Sequence, residues 1–153
     1  MPVTGGRRLQ RKIRRAMTAI GVDEIQIGFF NTAKYPDGKP VASVAAKNEF
    51  GTRTGDGDVI IPERPFFRQA LEQAKPRVFE HLKDNVDGGT LVVKETLGDE
   101  IGEIVQQAIQ EQIVELREPP NAPSTLARKK PKTNPLIDTG TMRTAVTYRT
   151  VKL

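Results

Sequence analysis

Between Ile101 and Leu116 the apolar residues fall three and four apart: Ile101, Ile104, Val105, Ala108, Ile109, Ile113 and Leu116. That spacing puts them on one face of an α-helix, since a strand would repeat every second residue. The helical reading extends from Thr90 to Glu118, with a break open near Gly98 and Gly102, and Pro119-Pro120 stops it. Whatever the chain folds into must bury this stripe. The opposite face is acidic, with Glu95, Asp99, Glu100, Glu103, Glu111, Glu115 and Glu118. It calls for water or a basic neighbour.

The rest of the chain is built around that helix. Leu9, Ile13, Met17 and Ile20 form a stripe on a basic amphipathic helix over 6–20, which Gly21 closes. From Asp23 to Phe30 the pattern alternates, with Ile25, Ile27 and Phe29 on one face, as in a half-buried strand. Tyr35-Pro36-Asp37-Gly38 is a tight turn. Val41 to Phe50 reads as a short helix on which Val41, Val44, Ala45 and Phe50 share a face. A polar, glycine-rich loop follows over 51–58, then an extended piece at Ile60-Ile61. Pro65 opens a second long helix that runs to about Asn85, with Pro76 expected to kink or split it and Asp87-Gly88-Gly89 to end it. Pro123 opens a short helix to Lys130, a basic loop spans 129–135, and Asp138-Thr139-Gly140 turns the chain into a strand over 143–152. The Asp138 side chain is expected to bond the backbone in that turn.

These elements define an α+β fold: a small antiparallel sheet packed against two long helices, with a basic N-terminal helix and extended loops. The length of 153 residues suits a single domain, with 1–20 as a helix or arm and 21–153 as the core. Aromatics make up only 5% of the chain, which favours a helix-rich fold over a β-sandwich. No apolar run approaches the roughly 18 residues that span a bilayer, and no apolar segment follows the N-terminal arginines as in a secretory signal.

Composition narrows the chemistry further. Without cysteine there is no disulfide, thiolate ligand or thiol nucleophile, and the single histidine, His81, rules out any two-histidine mechanism. His81 reads as an ordinary helical side chain. The Thr54-Gly55-Asp56-Gly57-Asp58 run has the outline of a calcium loop but lacks its regular ligand series and closing Glu. No phosphate-binding loop is present. The residues offer no catalytic constellation, so no enzymatic activity, cofactor or metal is expected, and a small hydrolase would need a catalytic pair that is not found.

Charge offers more. The net charge is +5, concentrated in Arg7, Arg8, Arg11, Lys12, Arg14 and Arg15 of the first helix and in Arg128, Lys129, Lys130 and Lys132 of the later loop. The first helix has three open readings: a solvated face, a phosphate-contacting face with salt-dependent affinity for nucleic acid, or a surface that docks on an acidic partner. Glu103, Glu111 and Glu115 of a second copy's long helix would be such a partner. Interleaved aromatics for stacking on single strands are absent.

Four blocks in order carry a resemblance. They are Ala45-Ala46-Lys47-Asn48-Glu49-Phe50-Gly51-Thr52, then Ile61-Pro62-Glu63-Arg64-Pro65-Phe66-Phe67-Arg68, then Pro119-Pro120-Asn121-Ala122-Pro123-Ser124-Thr125-Leu126-Ala127-Arg128-Lys129, and last Pro135-Leu136-Ile137-Asp138-Thr139-Gly140-Thr141-Met142. Their order and spacing resemble the neck and tail-completion proteins of tailed bacteriophages, over roughly residues 43 to 150. One departure is Ala122, where a serine cap before the short helix is expected. The resemblance implies a non-enzymatic virion protein that is made in the host cytoplasm. It would form a ring at the head–tail junction, by analogy a hexamer, and contact neighbouring neck and tail proteins. A tail-terminator ring that caps the tube is the alternative within that group, and a non-specific DNA-binding protein the alternative outside it.

A ring requires two unlike surfaces on each subunit. The basic and acidic helices offer one such pair, and the loops over 51–58 and 129–134, expected to order on assembly, offer another. A basic lumen, including Arg53, would tolerate passing DNA without reading its sequence. For the second block two readings stand: Pro62 and Pro65 set the entry of the helix while Phe66 and Phe67 fill the core, or Arg64 and the preceding loop touch a neighbouring subunit.

Overall fold

The structure is a computed structural model that describes residues 11, 14–15, 24–30, 32–87, 90–91 and 95–151. Most of the expected N-terminal helix, including Arg7, Arg8 and Lys12, lies outside these residues, as do Asp23 and Lys152. Arg11, Arg14 and Arg15 are helical and exposed.

The fold is α+β. Its first strand, β1 (Glu24–Gly28), pairs antiparallel with the last, β6 (Thr147–Val151), in a register that sets Glu24 opposite Val151 and Gly28 opposite Thr147. Between them run α1 (Val41–Phe50), the hairpin strands β2 (Thr52–Arg53) and β3 (Val59–Ile61), α2 (Phe66–Asp84), the small hairpin β4 (Val86–Asp87) and β5 (Thr90–Leu91), α3 (Leu97–Glu115), α4 (Pro123–Lys129) and α5 (Thr141–Ala145). The two 19-residue helices, α2 and α3, pack along each other, and α3 also lies against β6 and β1.

The helical stripe is the core. Val105, Ala108, Ile109, Ile113 and Leu116 are buried against Val41, Phe66, Ala70, Ala74, Leu136, Met142 and Val146. Each fully buried Ile, Leu or Phe contributes about 1.5–3 kcal/mol relative to exposure. A polar seam sets the register of the two long helices: Gln112 donates to Gln69 Oε1 at 2.8 Å and accepts from Gln73 Nε2 at 2.9 Å. Gln112 is the buried member, and leaving its amide unpaired would cost the desolvation of that group.

Several boundaries depart from the sequence pattern. The long helix begins at Leu97, because Thr90-Leu91 pairs back onto Val86-Asp87. It runs unbroken through Gly98 and Gly102, and it ends at Glu115, where Leu116 turns extended. Pro76 does not split α2. The strand expected from Arg143 begins only at Thr147, because 141–145 coils into α5 and buries Met142 and then Val146. The loop over 51–58 is a hairpin closed by Thr54 and Asp58: the Thr54 amide donates to Asp58 O at 2.9 Å, and the Asp58 amide to Thr54 Oγ1 at 3.0 Å. In the 138–140 turn Thr139, not Asp138, supplies the side-chain acceptor, for the Thr141 amide at 3.4 Å. Gly140 there takes a left-handed φ of 85°.

Gly102 has a packing role. A Cβ at that position would stand 2.6 Å from Cγ and 2.7 Å from Cε2 of the Tyr148 ring on β6. Helix propensity alone says that Gly102→Ala gains up to about 1 kcal/mol. The overlap says the opposite, a loss of about 1–3 kcal/mol as the sheet is pushed off α3. Urea unfolding of Gly102→Ala decides the sign: a lowered midpoint is expected, and a raised one would show that Tyr148 moves aside freely.

Candidate functional site

Three of the four sequence blocks meet in space around one buried cation, Arg64. Arg64 is 2% exposed. Its Nε donates to Pro119 O at 2.8 Å and its Nη2 to Pro120 O at 2.9 Å. Its Nη1 donates to Asn48 Oδ1 at 3.0 Å, and Nη2 also reaches Asn121 Oδ1 at 3.3 Å. The Arg64 amide donates to Asn48 O at 2.7 Å. One guanidinium thus ties the first, second and third blocks together. Its acceptors are all neutral, and burial pushes its pKa down. The reading of Arg64 as a surface contact with a neighbouring subunit or DNA is therefore corrected: the planar fork is used up inside the chain.

Glu49 is the second anchor. It is only 5% exposed. Its carboxylate accepts the Phe67 amide at 2.8 Å and the Arg68 amide at 3.2 Å. Those are two orphan donors of the first turn of α2, whose own N-cap, Pro65, supplies no side-chain bond. A carboxylate from another helix thus acts as the cap, where the helix dipole favours negative charge. Arg68 Nε closes the pair at 2.7 Å. Asn134, just before the fourth block, does the converse at the far end of α3. Its Nδ2 donates to Val114 O at 2.9 Å and Ile113 O at 3.2 Å, and its Oδ1 accepts the Leu136 and Ile137 amides. The sequence pointed to none of these three partnerships, because each joins residues distant along the chain or lying beyond a helix end.

Gly51 completes the corner. It has φ 71°, and a Cβ there would sit 3.0 Å from Glu63 N and Ile61 O. Phe50 was expected on the inner face of α1, yet it is 69% exposed. It lies nine residues beyond Val41, about 180° around the helix from it at 100° per residue. The Arg68 guanidinium stands 5.4 Å from its ring centroid.

Outside this frame lie the surfaces. Val59 and Ile60 on β3 are 53% and 60% exposed, and Val59 shares a recess with Phe50. An apolar groove of about 210 Å³ opens beside Phe50, walled by Phe29, Ala42, Ala46 and Phe67. A larger open cleft of about 500 Å³ lies between the 35–39 turn, α4 and the 135–142 segment. Tyr35 lines it, its pKa raised by burial and then by Asp138 and Asp37.

The remaining candidates are dispersed. Arg53 donates to Gly57 O within its own hairpin. Arg128, Lys130 and Lys132 are exposed, and Lys129 is half-buried, donating to Asn134 O at 2.9 Å. Lys132 Nζ donates to Asp138 O at 2.5 Å, so the loop over 129–135 is already ordered within the chain. On α3, Glu115 is exposed, Glu103 meets the Tyr148 hydroxyl at 3.5 Å, and Glu111 pairs with Arg77 of α2 at 2.6 Å. His81 Nε2 lies 2.7 Å from Glu100 Oε2. Among the described residues no group of three or more His, Cys, Asp or Glu could hold a metal ion, and no helix is long and apolar enough to cross a membrane.

Comparison with protein-family models, with curated proteins and with solved structures gave no match.

Two outcomes follow from the geometry. Arg64→Ala strips four acceptors at once and is expected to cost about 3–5 kcal/mol in urea unfolding, with Arg64→Lys recovering only part. A loss under about 0.5 kcal/mol would mean that the fork is not holding the blocks. At the α2–α3 seam, the hydrogen bond from Arg77 holds the Glu111 carboxyl below its usual range. A depressed folded pKa adds stability above the ordinary Glu value of about 4.3, and that stability is lost as pH falls through the lowered one. The pair is partly exposed, so Glu111→Gln should cost at most about 1 kcal/mol at neutral pH. The difference from wild type should close on acidification, and a gap that persists at acid pH would contradict the pairing.

Proposed function

We propose that this chain is a structural protein of a tailed bacteriophage virion, a ring subunit at the head–tail junction that joins tail to head. The reading starts from the four ordered blocks and their resemblance to neck and tail-completion proteins. The single observation that carries it is the division of labour around Arg64 and Glu49. The polar residues of the blocks are committed to holding the chain together, which leaves Phe50, Val59 and Ile60 standing out in water. Phe50 and Val59 line one recess at the hairpin base, and exposed apolar side chains favour contact with another protein surface. In a ring that surface belongs to the next copy and to the adjoining neck or tail ring. A tail-terminator ring would use the same surfaces, and exposed arginines such as Arg11, Arg14 and Arg15 would suit a lumen through which DNA passes.

Light scattering of the purified protein, across a series of concentrations and salt levels, tests the reading. A discrete multimer is expected, with six copies as the favoured number. A monomer at every concentration, together with tight DNA binding that weakens steeply with salt, would overturn it in favour of a DNA-binding protein.

A further inference from the structure

Two sets of opposite charge stand unpaired on different parts of the surface. Asp56 and Asp58 sit at the tip of the β2–β3 hairpin, both exposed. Neither carboxylate has a hydrogen bond or ion pair among the described residues. Arg128 and Lys130, at the end of α4, are exposed and equally unpaired. Of the charges around them, Lys39 is ion-paired with Asp37, while Arg53, Lys129 and Lys132 each give a donor to a backbone carbonyl (Gly57 O, Asn134 O and Asp138 O) and keep their charge. The basic set is crowded. The Lys129 ammonium has a lowered pKa, chiefly from burial; Asp138 opposes the shift, while Lys132, Arg64 and Arg128 add to it.

Shape runs parallel to charge. Arg128 lines the open cleft of about 500 Å³, whose floor includes Val44, Leu136 and Met142. The acidic tip, in turn, is followed directly by the exposed apolar pair Val59 and Ile60. The lining of the cleft carries Lys39, Arg128 and Lys129 beside Asp37 and Asp138, and with Lys39 paired to Asp37 its balance is basic, which complements an acidic hairpin with an apolar shoulder on the same chain.

We propose that the cleft of one copy receives the β2–β3 hairpin of a second copy, with Asp56 and Asp58 against Arg128 and Lys130 and with Val59 and Ile60 against the apolar floor. Because hairpin and cleft are different surfaces, the contact is heterologous and passes from copy to copy. It rests on the ring reading and names the surfaces that make the ring. The charged part weakens with salt, since the Debye length is only about 8 Å at physiological ionic strength.

The absence of cysteine makes the test direct. Gly55 at the hairpin tip has open space for a side chain, and Ala127 is exposed beside Arg128. Gly55→Cys, tagged to change its mass, is mixed with untagged Ala127→Cys and gently oxidised. The contact predicts a several-fold excess of the mixed disulfide dimer over its statistical share. Asp56→Lys with Asp58→Lys in the first partner should abolish the excess, and Arg128→Glu with Lys130→Glu in the second should restore it. A statistical distribution in the unreversed pair, or an excess indifferent to the charge reversals, overturns the contact. The ring reading is judged separately by the mass of the wild-type protein. A discrete multimer with statistical cross-linking keeps the ring and rejects this contact. Charge-dependent cross-linking of a chain that scatters as a monomer upholds the contact and rejects the preformed ring.

Discussion

A single buried guanidinium decides how this chain closes on itself. Arg64 stands at the entry to α2, and its guanidinium donates to Asn48 of α1 and to the proline pair that follows α3. A charged group that deep is costly unless its donors are met. Here they are met by two backbone carbonyls and two side-chain amides, acceptors that only a planar fork reaches together. Glu49, next to Asn48 on α1, works beside Arg64 and caps α2. With both ends of the corner pinned, Phe66 is fixed in the core against Phe29, at 6.3 Å between ring centroids. The hydrophobic stripe of α3 supplies most of the stabilisation, but hydrophobic burial is non-directional. The polar corner gives the layers one arrangement.

That division explains what could be read from the residues and what could not. The α3 stripe was legible because a three-and-four repeat has one structural meaning. Val41–Phe50 was legible as a helix from its alanines and from Val41, Val44 and Ala45, though not in the face of Phe50, and Gly38 and Gly140 as turns because of their place in turn sequences. The hairpin over 52–61 and the small hairpin at 86–91 were not. Their strands are two or three residues long, too short for an alternation to show. The strand expected from Arg143 failed on competition: burial of Met142 and Val146 wins a turn of helix first. For the second block the sequence leaves two readings, prolines and phenylalanines that set and fill the core entry, or Arg64 and the preceding loop on a neighbouring subunit. Sequence alone could not decide, because the Arg64 partners Pro119, Pro120 and Asn121 lie more than fifty residues away.

The surface follows from the frame. Once Asn48, Glu49 and Gly51 are committed inward, helical geometry turns Phe50 outward, and the tight Gly51 turn sends the chain straight into the β2–β3 hairpin. The same constraint that buries the block residues therefore projects an apolar shoulder and an acidic tip. At the other side, Asn134 holds the 129–135 segment against the end of α3, which keeps the basic residues of α4 on a defined rim. Both surfaces are rigidly based, so neither needs a large ordering cost to meet a partner.

The central claim is that a closed polar frame holds the fold while the projecting hairpin is kept for contact. Amide hydrogen exchange, measured on the free chain and on the assembled protein, tests both halves at once. The Arg64, Phe67, Arg68 and Leu136 amides, bonded inside the frame, should exchange slowly in both states. The Gly55 and Asp56 amides at the hairpin tip, outside the bonds that close the hairpin, should exchange fast in the free chain and slow sharply on assembly. Frame amides that exchange as fast as the hairpin, or a hairpin whose exchange is the same in both states, would contradict the account.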